Sequence, residues 1–262
     1  MDDRFDVAQA LAGGYPDRAG AWEFVREFAA SWATPLTSSD GFSAGEVQEA
    51  EERLDLRLPV ALREAYGLFG RRGDLVAWQD PLLEPGELLL DPSGQLLLFR
   101  SENQGGAGWG VRLTDLSRED PPVALFSDHL PQLTTCSFLD RVSLACVEMV
   151  LSEAVMARSG GPEGRACRAS SEVVAFVEAE FAPVPLPPHP AWFEPMGPPV
   201  RWFSSPGLVL RLEPGLVGMD LVVIGRTEAD LQRALEAIPG EWPAASLALT
   251  VPTDGYDVEP PF

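Results

Sequence analysis

From about residue 75 to 127 the chain is a series of short apolar runs, DLVAW, GELLLD, GQLLLFR, WGVRL and PPVALF, each cut within a few positions by turn residues. Runs of this length are too short for buried helices. The turn residues between them direct each run back onto its neighbour, so this region is constrained to a sheet. DPSG, between Leu90 and Gln95, carries the Asp, Pro and Gly of a tight turn and predicts antiparallel pairing of its flanks. The glycine-rich ENQGGAGWG (102–110) raises the alternative of a phosphate cradle. A cradle needs the G-x-G-x-x-G order and a helix N-terminus after it, whereas here the order differs and WGVRL reads as a strand. The stretch is therefore read as a hairpin tip, joining Leu96–Ser101 to Trp109–Leu113, with Glu102, Asn103 and Gln104 placed to bond backbone groups.

Helical spacing brackets the sheet region. AGAWEFVREFAASW repeats Trp22, Val25, Phe28 and Trp32 at helical intervals. The stretch FSAGEVQEAEERLDLRLPVALREAYGLFG carries Val47, Ala50, Leu54, Leu58, Leu62 and Tyr66 on two helices separated near Pro59. SFLDRVSLACVEMVLSEAV predicts a further helix with a broad apolar face. Beyond it, RSGGPEGRACRASS reads as a surface loop, SEVVAFVEAEF as a short helix and APVPLPPHP (182–190) as a stiff extended linker. In the tail, VRWFSS, GLVLRLE, GMDLVVIG and ASLALTVP read as strands and TEADLQRALEAI as a helix capped by Thr227. The expected organisation is an N-terminal helical extension (1–40), a central domain (41–160), a loop, short helix and Pro-rich linker (161–190), and a C-terminal α+β extension (191–262).

The charge balance excludes several partner classes. Forty acidic residues face 19 basic ones, a formal net charge of −21. Nucleic acid and acidic membrane surfaces are disfavoured, because both are bound mainly through cationic side chains, whereas a basic protein would be steered toward this surface. All 19 basic residues are Arg, so Schiff-base lysine chemistry and the P-loop lysine are both absent. Cys136, Cys146 and Cys167 form no C-x-x-C and are odd in number, which reads as reduced thiols. MDDRFDVAQA has neither a basic region nor an apolar core of a signal peptide, and no run approaches a membrane span, so a cytoplasmic location is expected.

Few residues present themselves for chemistry. GFSAG (41–45) formally matches the G-x-S-x-G nucleophile elbow, but TPLTSSD ahead of it cannot form the buried strand that an elbow requires. Ser43 and Glu46 instead fit a capping box. His129 and His189 are the only histidines: the first reads as a loop residue beside Asp128, the second as solvent-facing within the proline tract. Neither suggests a metal site or a general base, and no cofactor, metal or catalytic set is expected.

The segments EVQEAEERLDLRLPVALREAYGLFG, PGELLLDPSGQLLLFRSENQGGAGWGV and DLSREDPPVAL, in that order over about residues 43–155, resemble the SMI1/KNR4 family of the SUKH superfamily. The Leu58–Pro59 step and the Glu-Asn-Gln…Trp-Gly element carry the likeness together. The resemblance implies an α+β fold, with helices on one side of a mainly antiparallel sheet, and a protein-binding role without catalysis. Many bacterial relatives are immunity proteins that neutralise toxins, often nucleases, so the expected partner is a basic toxin domain. Trp78, Glu102, Asn103, Gln104 and Trp109 are the candidate interface residues, with core packing as the competing reading for both tryptophans and hairpin structure for the three polar residues. A regulatory scaffold binding an endogenous partner and a serine hydrolase centred on Ser43 are the rival functions.

Overall fold

A computed structural model describes residues 5–128, 135–159 and 161–243. Helices α1 (Val7–Ala10), α2 (Arg18–Trp32), α3 (Ala44–Leu54), α4 (Val60–Phe69) and α5 (Gly73–Val76) come first. Strands β1 (Leu89–Leu90), β2 (Leu96–Ser101), β3 (Ala107–Arg112), β4 (Val123–Ser127) and β5 (Thr135–Leu139) follow. Then come α6 (Val142–Ser159), β6 (Gly164–Ala169), α7 (Ser171–Glu180), β7 (Ala182–Pro183), β8 (Arg201–Ser205), β9 (Leu208–Pro214), β10 (Met219–Gly225) and α8 (Glu228–Ala237). The class is α+β with two antiparallel five-stranded sheets, ordered β1-β2-β3-β4-β5 and β6-β10-β9-β8-β7.

Helix α6 lies between the sheets. Its sequence is apolar almost all round, and it packs against α2, α4 and α5 as well as β5, β6 and β10. A helix with no polar face must be surrounded. One core therefore runs from Phe24 and Phe28 on α2, through Tyr66 on α4 and Trp109 on β3, to Val147 on α6 and Trp202 on β8. The second sheet alternates with period two: Trp202, Val209 and Val222 face this core, while Phe203, Leu210 and Val223 face a second one under α7 and α8.

Helix starts are fixed both locally and from a distance. Ser43 and Glu46 form the expected capping box on α3, and the Thr227 hydroxyl accepts from Asp230 N on α8. Helices α4 and α6 use residues 119–121 instead. Ala61 N donates to Glu119 O, Val142 N to Pro121 O, and Ser143 bonds the Asp120 carboxylate through both N and Oγ. One loop thus satisfies orphan N–H groups of two helices.

Several local expectations are overturned. DLVAW is not a strand: Gly73–Val76 is a helical turn packed on α6. SFLDRVSL does not begin a helix, because Thr135–Leu139 is the edge strand β5 and α6 starts at Val142. Residues 164–169 are strand β6, fully paired with β10, rather than loop. The proline tract is tied down as well: Ala182 and Pro183 pair with β8, and His189 exchanges backbone bonds with Val200. The strand expected in ASLALTVP and the reading of His129 lie outside the described residues.

Candidate functional site

Strict alternation along β2 would put Leu96, Leu98 and Arg100 on one face. The register instead slips at Phe99: Leu98 pairs with Gly110, but Arg100 pairs with Trp109. A bulge of this kind re-aims the following side chain. Arg100 turns inward, 2% exposed, with its guanidinium stacked 4.4 Å from the centre of the Trp109 ring.

Buried guanidinium requires anionic partners, and α6 supplies them. Arg100 Nη1 donates to Glu148 at 2.8 Å, Nη2 to Glu153 at 3.1 Å, and Nε to the backbone carbonyl of Asp80 at 3.0 Å. Glu153 also accepts from Gln79 N at 2.7 Å and Asp80 N at 3.1 Å. The loop 78–81 is therefore held by a buried ion pair. Next to it, Ser101 N donates to Pro81 O and Leu83 N to Phe99 O, which covers the outer edge of β2.

Three carboxylates converge on this one guanidinium, since Asp80 Oδ2 lies 3.9 Å from Arg100 Nη2. Asp80 Oδ1 is buried without a hydrogen-bond partner. Burial, against the attraction of Arg100 and with repulsion from Glu153, Glu102 and Glu148, raises the Asp80 carboxyl to about 6. Glu148 behaves oppositely: burial disfavours its charge, but the Arg100 guanidinium, with the Ser152 hydroxyl donating to the same carboxylate, holds it below the ordinary carboxylate range.

The structure separates the five sequence-predicted residues. Trp109 is core, 3% exposed, whereas Trp78 is 62% exposed. Glu102 is buried at the hairpin tip, where its carboxylate accepts from Gln104 N at 2.9 Å and Gly106 N at 3.1 Å. Asn103 and Gln104 are exposed. Because residues 81–83 run antiparallel to 99–101, Trp78 and the Asn103–Gln104 tip emerge at the same end of β2.

Sequence reasoning missed Asp80, Arg100, Glu148 and Glu153. A signal was present for three of them: Arg100 closes the run QLLLFR, and Glu148 and Glu153 interrupt SLACVEMVLSEAV. A charge inside an apolar run is a buried charge in search of a partner.

From Trp109 a chain of ring contacts crosses to the second sheet. Phe138 meets Trp109 edge-on at 6.0 Å and His189 at 4.8 Å, and Trp202 Nε1 donates to His189 Nε2 at 3.0 Å. Arg211 lies 5.8 Å over Trp202 and pairs with Glu213 at 2.8 Å. His189 is 3% exposed, which corrects the solvent-facing expectation: Phe138 and Trp202 enclose it.

On the surface, α3 carries Glu46, Glu49 and Glu52. A shallow groove of about 320 Å³ separates it from the 84–86 turn, and a second of about 260 Å³ lies at its C-terminal end. Ser43 Oγ donates to Glu46 at 2.8 Å, and a Cβ on Gly41 would lie 1.9 Å from Gly67 O. The glycine ahead of the serine is thus explained by close packing on α4. Among the described residues, no group of His, Cys, Asp and Glu side chains is arranged to hold a metal ion, and no helix is long and apolar enough to cross a membrane. No protein-family model, no curated protein and no solved structure matches this chain.

Proposed function

We propose that this chain is a non-enzymatic protein-binding module of SMI1/KNR4 type, an immunity protein that occludes a basic toxin domain by stoichiometric contact. The observation that carries this reading is the pairing of an exposed tryptophan, Trp78, on a charge-pinned loop with a net charge of −21. Large aromatics on a rigid base are the usual energetic centres of interfaces, and a strong net charge accelerates encounter with an oppositely charged partner. The resemblance over residues 43–155 supports the same reading, as do the acidic grooves on α3.

The test is an affinity capture from lysate of the source organism at low and moderate salt, followed by co-expression of the captured protein. Recovery of one basic protein, released as salt rises and rendered harmless by this chain in cells, is the expected result. Capture of an endogenous assembly without protection would replace immunity by the scaffold reading. Ester or amide turnover that vanishes in Ser43→Ala would overturn both.

A further inference from the structure

We propose that Trp78 is the seat for an arginine side chain of the partner, whose guanidinium stacks on the exposed indole and is drawn there by the excess of buried carboxylates that begins two residues along the same loop, at Asp80. This inference rests on the protein-binding reading and names the chemistry of its anchor.

Four observations converge on it. Trp78 is 62% exposed, although tryptophan is largely buried in most folds. Its loop is nevertheless rigid at the base: Gln79 N and Asp80 N both donate to Glu153, Arg100 Nε donates to Asp80 O, and Leu82 N donates to Val76 O. A ring presented from such a base loses little entropy on binding.

Two residues further on, the chain enters a buried cluster in which three carboxylates, from the loop (Asp80) and α6 (Glu148, Glu153), face the guanidinium of Arg100, with the buried Glu102 of the hairpin tip nearby. Asp80 Oδ1 is buried there and bonds nothing. The excess of negative charge at the base of the loop that presents this exposed indole favours a cation on that ring. Arginine suits it better than lysine, because its planar, weakly hydrated guanidinium stacks on aromatic faces. The cluster already contains one such pair, Arg100 over Trp109 at 4.4 Å.

The test uses the full chain with two blocked peptides, hexa-arginine and hexa-lysine, titrated by calorimetry at 150 mM salt. Hexa-arginine is expected to bind about fivefold or more tighter than hexa-lysine. Trp78→Ala is expected to abolish that preference without lowering thermal stability, whereas Trp78→Phe retains part of it. Glu49→Gln/Glu52→Gln on α3 serves as the control and should weaken both peptides equally. Protonation of Asp80 reduces the negative charge, so hexa-arginine affinity should decline below about pH 6, and this part of the decline should be missing in Asp80→Asn. An arginine preference that survives Trp78→Ala, or no preference in the parent chain, would overturn the seat. A captured basic protein that binds Trp78→Ala as tightly as the parent would remove the seat and leave the binding module standing. Trp78-dependent arginine binding without any protective partner would do the reverse.

Discussion

Trp202 donates its indole N–H to Nε2 of His189 across 3.0 Å, which joins β8 to the proline-rich strap 184–200. The donor dictates the acceptor's state. Nε2 must be unprotonated, so the ring is neutral, with its proton on Nδ1 facing Pro190 O at 3.3 Å. Burial lowers the imidazole pKa, against the pull of Glu148, in line with this state.

As pH falls below about 6.5, the unfolded chain takes up a proton at residue 189 that the folded chain resists. The contribution of His189 to stability is therefore constant above that point and declines below it. His189→Gln keeps an acceptor for Trp202 but does not titrate. Urea denaturation from pH 8 to 5 should show the variant gaining on the parent chain as acidity rises. A parent-minus-variant difference independent of pH would refute the neutral, buried imidazole.

Asp80 has the opposite sign. Its folded pKa is raised from 3.8 to about 6, so folding binds a proton in that window and ionisation above it destabilises the fold. The shift corresponds to about 3 kcal/mol as an upper bound. Asp80→Asn is expected to raise stability by about 1–3 kcal/mol at pH 8 and to give no gain at pH 4. Arg100→Met, by contrast, strands Glu148 and Glu153 and should cost about 3–5 kcal/mol. Arg100→Lys should rescue little of that, because three acceptors in a fork need the guanidinium. Thermal melts at both pH values check all three.

Gly110 tests the hairpin. Its missing Cβ would lie 2.6 Å from Leu97 O and 3.0 Å from Leu98 Cδ2 across the β2–β3 pair. Gly110→Ala should cost about 1–3 kcal/mol through forced displacement of β2. If the glycine run instead served a ligand, the alanine variant would fold as stably as the parent, and a melt distinguishes the two.

Ser43 and Gly45 test the helix-cap reading of GFSAG. Ser43→Ala should lower stability by about 0.5–2 kcal/mol. Gly45→Ala should raise it by up to about 1 kcal/mol, since the position is helical and its Cβ would meet only Ser43 Oγ at 3.8 Å. Both effects are read by denaturation, and partner capture should be unchanged in each.

What the sequence by itself determined is local. The Ser43–Glu46 cap, the Thr227 cap, the turn at DPSG and the β2–β3 hairpin rest on residues within a few positions of one another, so turn and capping chemistry specifies them wherever they sit in a fold. Tertiary structure decided the remainder. Gly164–Ala169 reads as loop until β10 pairs with it, and DLVAW reads as strand until α6 packs against it as a helical turn. Arg100 points inward because of a one-residue bulge, which no alternation pattern displays, and the acids that hold it stand 48 and 53 residues away. His189 reads as surface within its prolines, yet Trp202 and Phe138 bury it. Desolvation decides these positions: whether a charge or a ring is buried depends on which distant element covers it, and that is a property of the packed chain.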